Sequence, residues 1–117
     1  MKMKPTDFGG AAAVEGYGPG FFRIGRAVIH GPVLVTAAGA AAWSGLDDQA
    51  PLLALAGRID VLFIGMGADP AHAPAGLVAA LREGGVAVES MASPTAARTY
   101  NVTLSEGRRV ACALLPL

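Results

Sequence analysis

The chain has 117 residues, and its nine basic residues balance nine acidic ones, so the formal net charge is zero. A domain of this size buries enough surface to hold together without disulfides or metals. With no basic excess, it lacks the charge that collects backbone phosphates, so no nucleic-acid partner is expected.

Only 15% of residues are charged, and the mean hydropathy is +0.48. Much of that comes from alanine, which contributes little area. Zero net charge does not resist association, so the composition leans towards a homodimer or a protein partner. The single cysteine, Cys112, excludes an internal disulfide and a cysteine-based zinc site. It sits in an apolar run, Val110-Ala111-Cys112-Ala113-Leu114-Leu115, where a small buried hydrophobe is expected. No stretch reaches the ~18 apolar residues of a transmembrane segment. Lys2 and Lys4 are not followed by an apolar run, which argues against a secretory signal. The expected location is the cytoplasm.

One domain is expected over residues 1–117, with 1–13 as a poorly ordered tail. Beyond it, short β-rich runs alternate with turns. Val14-Glu15-Gly16-Tyr17 and Phe21-Phe22-Arg23-Ile24 flank Gly18-Pro19-Gly20. Ala27-Val28-Ile29-His30 and Val33-Leu34-Val35-Thr36 follow, separated by Gly31-Pro32. This pattern predicts an antiparallel meander. Residues 37–44 form a small-residue stretch closed by Trp43. Asp47-Asp48 then predicts a cap for a short helix over 49–56, with Pro51 in its first turn and Gly57 as its stop.

The pattern changes at Ile59-Asp60-Val61-Leu62-Phe63-Ile64. A nearly unbroken apolar run predicts a strand covered on both faces, as in a parallel sheet. Pro74 predicts a helix start, and Gly84-Gly85 its end. A strand is expected over 86–89. Ser93-Pro94 predicts the next helix, with Ser93 as N-cap and Pro94 in the first turn. Gly107 marks its exit, and residues 109–115 form the last strand. The β-α-β-α-β order implies right-handed crossovers and a layered α/β domain.

Ligands of open α/β sheets bind beside the carboxyl ends of strands. The loops at 65–73 and 90–93 follow two such ends. If their strands are parallel, Gly65, Gly67, Asp69, His72, Thr95, Arg98 and Asn101 share one edge, which makes that edge the candidate ligand or partner site. Thr95, Arg98 and Asn101 recur one turn apart on a single helix face. Arg98 offers a fork suited to carboxylate or phosphate; its structural use would be to pair with an acid and brace the helix. Tyr100 is expected to bury its ring and keep its hydroxyl at a rim. Gly65-Met66-Gly67 lacks the further glycine of a dinucleotide fingerprint and the Gly-Lys-Ser/Thr of a P-loop, so a tight strand exit is its expected role. No nucleophile elbow, His-Glu-x-x-His motif or paired carboxylates occur at this edge, so no catalytic residue, metal or cofactor is assigned.

Several segments stand out together: Gly18-Pro19-Gly20-Phe21, Val33-Leu34-Val35, Trp43, Ile64-Gly65-Met66-Gly67 and Gly85-Val86-Ala87-Val88-Glu89-Ser90-Met91. Thr95-Ala96-Ala97-Arg98-Thr99-Tyr100-Asn101 and Glu106-Gly107-Arg108-Arg109-Val110 complete the set. With these segments the chain resembles a small family of single-domain proteins of unknown function, whose eukaryotic relatives include the mitochondrial complex I (NADH:ubiquinone oxidoreductase) assembly factor 3. Where the family pattern has Gly-Thr-Gly, this chain has Gly65-Met66-Gly67, which removes a hydroxyl from that loop. The resemblance implies a three-layer α/β fold, with a mixed central sheet, flanking helices and an N-terminal β meander. Together with the apolar composition and the sparse catalytic inventory, it points to a non-enzymatic protein-binding module, with a respiratory-complex subunit as partner by analogy. The alternative is a small-anion-binding domain or weak enzyme, using the helix start at Ser93 and Thr95 together with Arg98.

Overall fold

The computed structural model describes residues 10–117. Residues 1–9 of the expected tail lie outside the described residues. At the end of that tail, Ala13 is buried and the Ala12 N–H donates to the Ala37 carbonyl at 2.9 Å.

Three strands form an antiparallel meander: β1 (Val14–Gly18), β2 (Phe21–Ile24) and β3 (Ala27–His30). β4 (Val33–Thr36) was expected to extend it, but joins a second sheet instead. There it pairs antiparallel with β5 (Gly39–Ala42) on one side and with β8 (Val110–Leu115) on the other. Pairing with the long apolar β8 sets Val33 and Val35 beside Leu114 and Cys112 on the core face that α3 covers. β5 lies in the small-residue stretch that carried no strand signal. Its glycine and alanines have little β propensity, and the hairpin turn at residues 37–38 imposes the pairing Thr36↔Gly39.

The larger sheet has the order β5-β4-β8-β6-β7, where β6 is Val61–Met66 and β7 is Val88–Met91. β6 runs parallel to both β7 and β8. Between β5 and β6, α1 spans only Ala50–Leu53. The acidic pair before it does not cap it. The Asp48 carboxylate accepts from the Ser44 N–H, and its carbonyl accepts from the Trp43 indole. Helices α2 (Ala75–Glu83) and α3 (Ser93–Ser105) make the crossovers.

Alternation along β6 and β8 divides the interior in two. Val61 and Phe63 of β6, with Val110, Cys112 and Leu114 of β8, face Ala96, Ala97, Tyr100 and Leu104 of α3 and Phe22 and Ile24 of the meander. Leu62, Ile64, Ala111 and Ala113 face the other way, against Leu52 of α1, Leu77 and Leu81 of α2, and Trp43. The result is a three-layer α/β domain with a mixed central sheet. The meander and α3 cover one face, and α1 and α2 cover the other.

Both long helices end in Schellman motifs. After α2, the Val86 N–H reaches the Leu81 carbonyl and the Gly85 N–H reaches that of Arg82. After α3, Arg108 and Gly107 bond Thr103 and Leu104 in the same way. Gly85 and Gly107 occupy the left-handed position at φ 91° and 85°, which a side chain would oppose. Each motif aims the chain straight into the next strand segment.

Candidate functional site

β6 and β7 are parallel, so the two loops do follow carboxyl ends on one side of the sheet. The seven residues expected there nevertheless do not form one site. The fold sends six of them to three places and leaves Thr95 exposed apart from all three.

Gly65 and Gly67 meet Ser93. The Ser93 N–H donates to the Gly67 carbonyl at 2.8 Å, and the Gly67 N–H donates back to the Ser93 Oγ at 2.8 Å. The Ser93 hydroxyl donates in turn to the Leu115 carbonyl at 2.6 Å. Ser93 is fully buried, and this network accounts for its hydroxyl. It is therefore not the N-cap. Ala92 holds that position, without a side-chain cap, and Ser93 is the first helical residue. The hydroxyl ties α3 to the ends of β6 and β8 rather than to its own first turn. Gly65 leaves the space for this contact: a Cβ there would sit 2.7 Å from both the Ser93 Cα and Oγ. These residues form a packing joint, and both the Ser93 N–H and hydroxyl are used within the fold.

On the opposite face, His72 lies beside Arg82, Glu89 and Ser90 around a cavity of about 390 Å³. The Ser90 hydroxyl accepts from the Ala73 N–H at 3.2 Å, and the Arg82 guanidinium approaches the Val88 carbonyl at 3.4 Å. Asp69 is exposed in the preceding loop.

Asn101 and Arg98 face β1. The Asn101 amide bonds the backbone of Val14 twice, accepting from its N–H at 2.9 Å and donating to its carbonyl at 2.7 Å. Asn101 is a structural clip. One position earlier, the Tyr100 ring is fully buried and its hydroxyl donates to the Ala12 carbonyl at 2.6 Å. Burial first, and the Cys112 sulfur second, push the phenol above its ordinary pKa. Burial likewise pushes the Cys112 thiol up and withholds the reactive thiolate.

Arg98 is different. It is exposed, and the Arg109–Asp60 pair is the one ion pair among the described residues. Arg98 lines a groove of about 240 Å³ between β1 and α3, with Glu15 and Tyr17 on the strand side and Pro94 and Ala97 on the helix side. Tyr17 is 46% exposed. Thr95 is exposed outside this groove. No sequence signal marks Glu15 or Tyr17, because nothing in the 14–17 run shows that it lies along α3. Among the described residues, no three His, Cys, Asp or Glu side chains gather to hold a metal ion, and no helix is long and apolar enough to cross a membrane.

The family described as "Protein of unknown function (DUF498/DUF598)" matches residues 14–115. The chain belongs to this family. An uncharacterized protein of Rhodobacter capsulatus is 54% identical over all 117 residues, which cover 94% of that protein. The NADH dehydrogenase (ubiquinone) 1 alpha subcomplex assembly factor 3 of Danio rerio is 29% identical over 110 residues, spanning 88% of this chain and 63% of that protein. A crystal structure from Bartonella henselae, described as an outer membrane protein, superposes with a TM-score of 0.81 at 30% identity. That match covers 94% of this chain and 98% of the other. Proteins with different descriptions are thus similar to this chain in sequence or in fold.

Proposed function

We propose that this domain is a protein-binding module that helps assemble or hold a larger complex, docking its partner along the groove between β1 and α3. The observation that carries this reading is the contrast within α3. Ser93, Tyr100 and Asn101 spend their polar groups inside the fold, whereas Arg98 stands exposed in the same groove as Tyr17, with no acid paired to it among the described residues. Arginine and tyrosine are the side chains on which protein interfaces most often concentrate their binding energy. Glu15 in the same groove gives a partner an opposite charge to read. The likeness to the Danio rerio assembly factor supports an assembly role, and a respiratory-complex subunit is the partner that this likeness suggests.

The test is affinity capture of the full chain from its native cell, run in parallel with Arg98→Ala and Tyr17→Ala. The wild type is expected to retrieve one consistent partner that both variants lose. Both side chains are exposed, so each variant should keep its stability within about 0.5 kcal/mol. Repeated recovery of the bare chain, or capture indifferent to both substitutions, would sink the reading.

A further inference from the structure

We infer that the opposite end of the central sheet holds a second site, suited to a small amphiphilic oxyanion: a carboxylate or phosphate carried on an aliphatic chain. A cavity of about 340 Å³ opens where β6 and β8 begin and β4 ends, within the size range of small-ligand pockets. Leu55, Ile59 and Val110, with the alanines at 37 and 38, give it an apolar lining. Arg58, Arg108 and Arg109 also line it. Three arginines thus line one cavity in a chain of zero formal net charge, and only one of them is paired with an acid among the described residues.

The three arginines are not equivalent. Arg109 is committed. Its guanidinium donates to the Asp60 carboxylate at 2.8 Å and to the Gly57 carbonyl at 3.3 Å, fixing the turn before β6. That hydrogen bond holds the Asp60 carboxyl below its ordinary pKa. Arg58 and Arg108 have no carboxylate partner among the described residues. Thr36 adds a hydroxyl, which accepts from the Ala38 N–H at 3.3 Å and keeps its own proton to donate. Cationic forks recognise an oxyanion, while the apolar lining favours a hydrocarbon group. A bare inorganic anion would leave that lining unused, and a neutral chain would leave two arginines unused. The chemistry therefore selects a ligand having both parts. This site is separate from the β1–α3 groove and stands independently of the function proposed for it.

Amide chemical shifts of the full chain, followed by NMR during titration, test the inference. The probes are octanoate and octyl phosphate, with acetate, inorganic phosphate and 1-octanol as partial ligands, and phosphatidylglycerol vesicles as a membrane source of the same chemistry. The expected result is saturable shifts at residues 36–38, 55–59 and 108–110. At least one eight-carbon amphiphile should bind about tenfold more tightly than each partial ligand, a difference of about 1.4 kcal/mol. A stronger response to octanoate identifies a free carboxylic acid, to octyl phosphate a phosphate monoester, and to vesicles a lipid headgroup. Paired Arg58→Gln and Arg108→Gln substitutions, both at exposed positions, should weaken that binding about tenfold or more and leave the remaining spectrum in place. The inference is overturned if no probe shifts these residues saturably, if octanol matches octanoate and octyl phosphate, or if the double variant binds as the wild type does.

Discussion

Asn101 occupies the place of a neighbouring strand beside Val14, accepting from its N–H and donating to its carbonyl with one side-chain amide. β1 is an edge strand of the meander, and the clip satisfies backbone groups that α3 would otherwise cover without partners. It also fixes where β1 runs along the helix, and therefore how wide the groove at Arg98 and Tyr17 is. Asn101→Ala should cost about 1–3 kcal/mol by leaving both Val14 groups unpaired. Asn101→Asp should cost at least as much at neutral pH, because one carboxylate oxygen would then face the Val14 carbonyl. Denaturant unfolding reads the magnitude, and hydrogen exchange at Val14 reads the location. Wild-type stability and protection in both variants would show that the clip contributes nothing.

The joint between Gly65 and Ser93 makes a different demand. A Cβ at position 65 would lie 2.7 Å from the Ser93 Cα and 2.8 Å from the Leu114 Cδ2, with backbone on one side and a packed core residue on the other. Gly65→Ala must therefore push α3 away from the sheet, at a cost of about 1–3 kcal/mol as for other overpacked cores. Ser93→Ala removes the hydroxyl that accepts from Gly67 and donates to Leu115, and should cost a similar amount through unpaired buried groups. Their costs should not add, because each loosens the same contact. Thermal or chemical unfolding of the single and double variants measures the coupling, and strict additivity would contradict a shared joint.

The fold was more legible than the site. Hydrophobic continuity marked β6, and glycine at the helix exits marked the ends of α2 and α3, because these are local signals. β5 was not legible: a glycine and three alanines become a strand only through their hairpin with β4. The role of Ser93 is not legible locally for a related reason. The Ser-Pro pair announced a helix start correctly, but whether a serine caps its own helix or bonds a neighbouring strand depends on what is packed beside it. Thr95, Arg98 and Asn101 share a helical spacing that could not reveal Val14 as the partner of Asn101, 87 residues away. Glu15 and Tyr17 join the groove only through the packing of β1 along α3, which no local sequence signal encodes.

Alkaline pH should expose the buried ionisable pair in that core. Cys112 and Tyr100 both have folded-state pKa values raised by burial. The folded protein therefore keeps their protons after the unfolded chain has begun to lose them. The unfolded state then binds fewer protons than the native state, so unfolding free energy falls as pH rises. The contribution of each group is complete below its unfolded pKa. It declines above roughly pH 8.5 for Cys112 and above roughly pH 10 for Tyr100, continuing towards the folded values. Each group adds a slope of about 1.4 kcal/mol per pH unit once its unfolded form is ionised. Urea unfolding from pH 7.5 to 10.5 should thus show a decline that steepens near its upper end. Cys112→Ala should flatten the part between roughly pH 8.5 and 10, and Tyr100→Phe the steepening above it. Tyr100→Phe should also lower stability at every pH, by leaving the Ala12 carbonyl without its donor. The slopes decide the matter independently of those offsets, and identical slopes in the wild type and Cys112→Ala would refute the assignment of the first decline to the thiol.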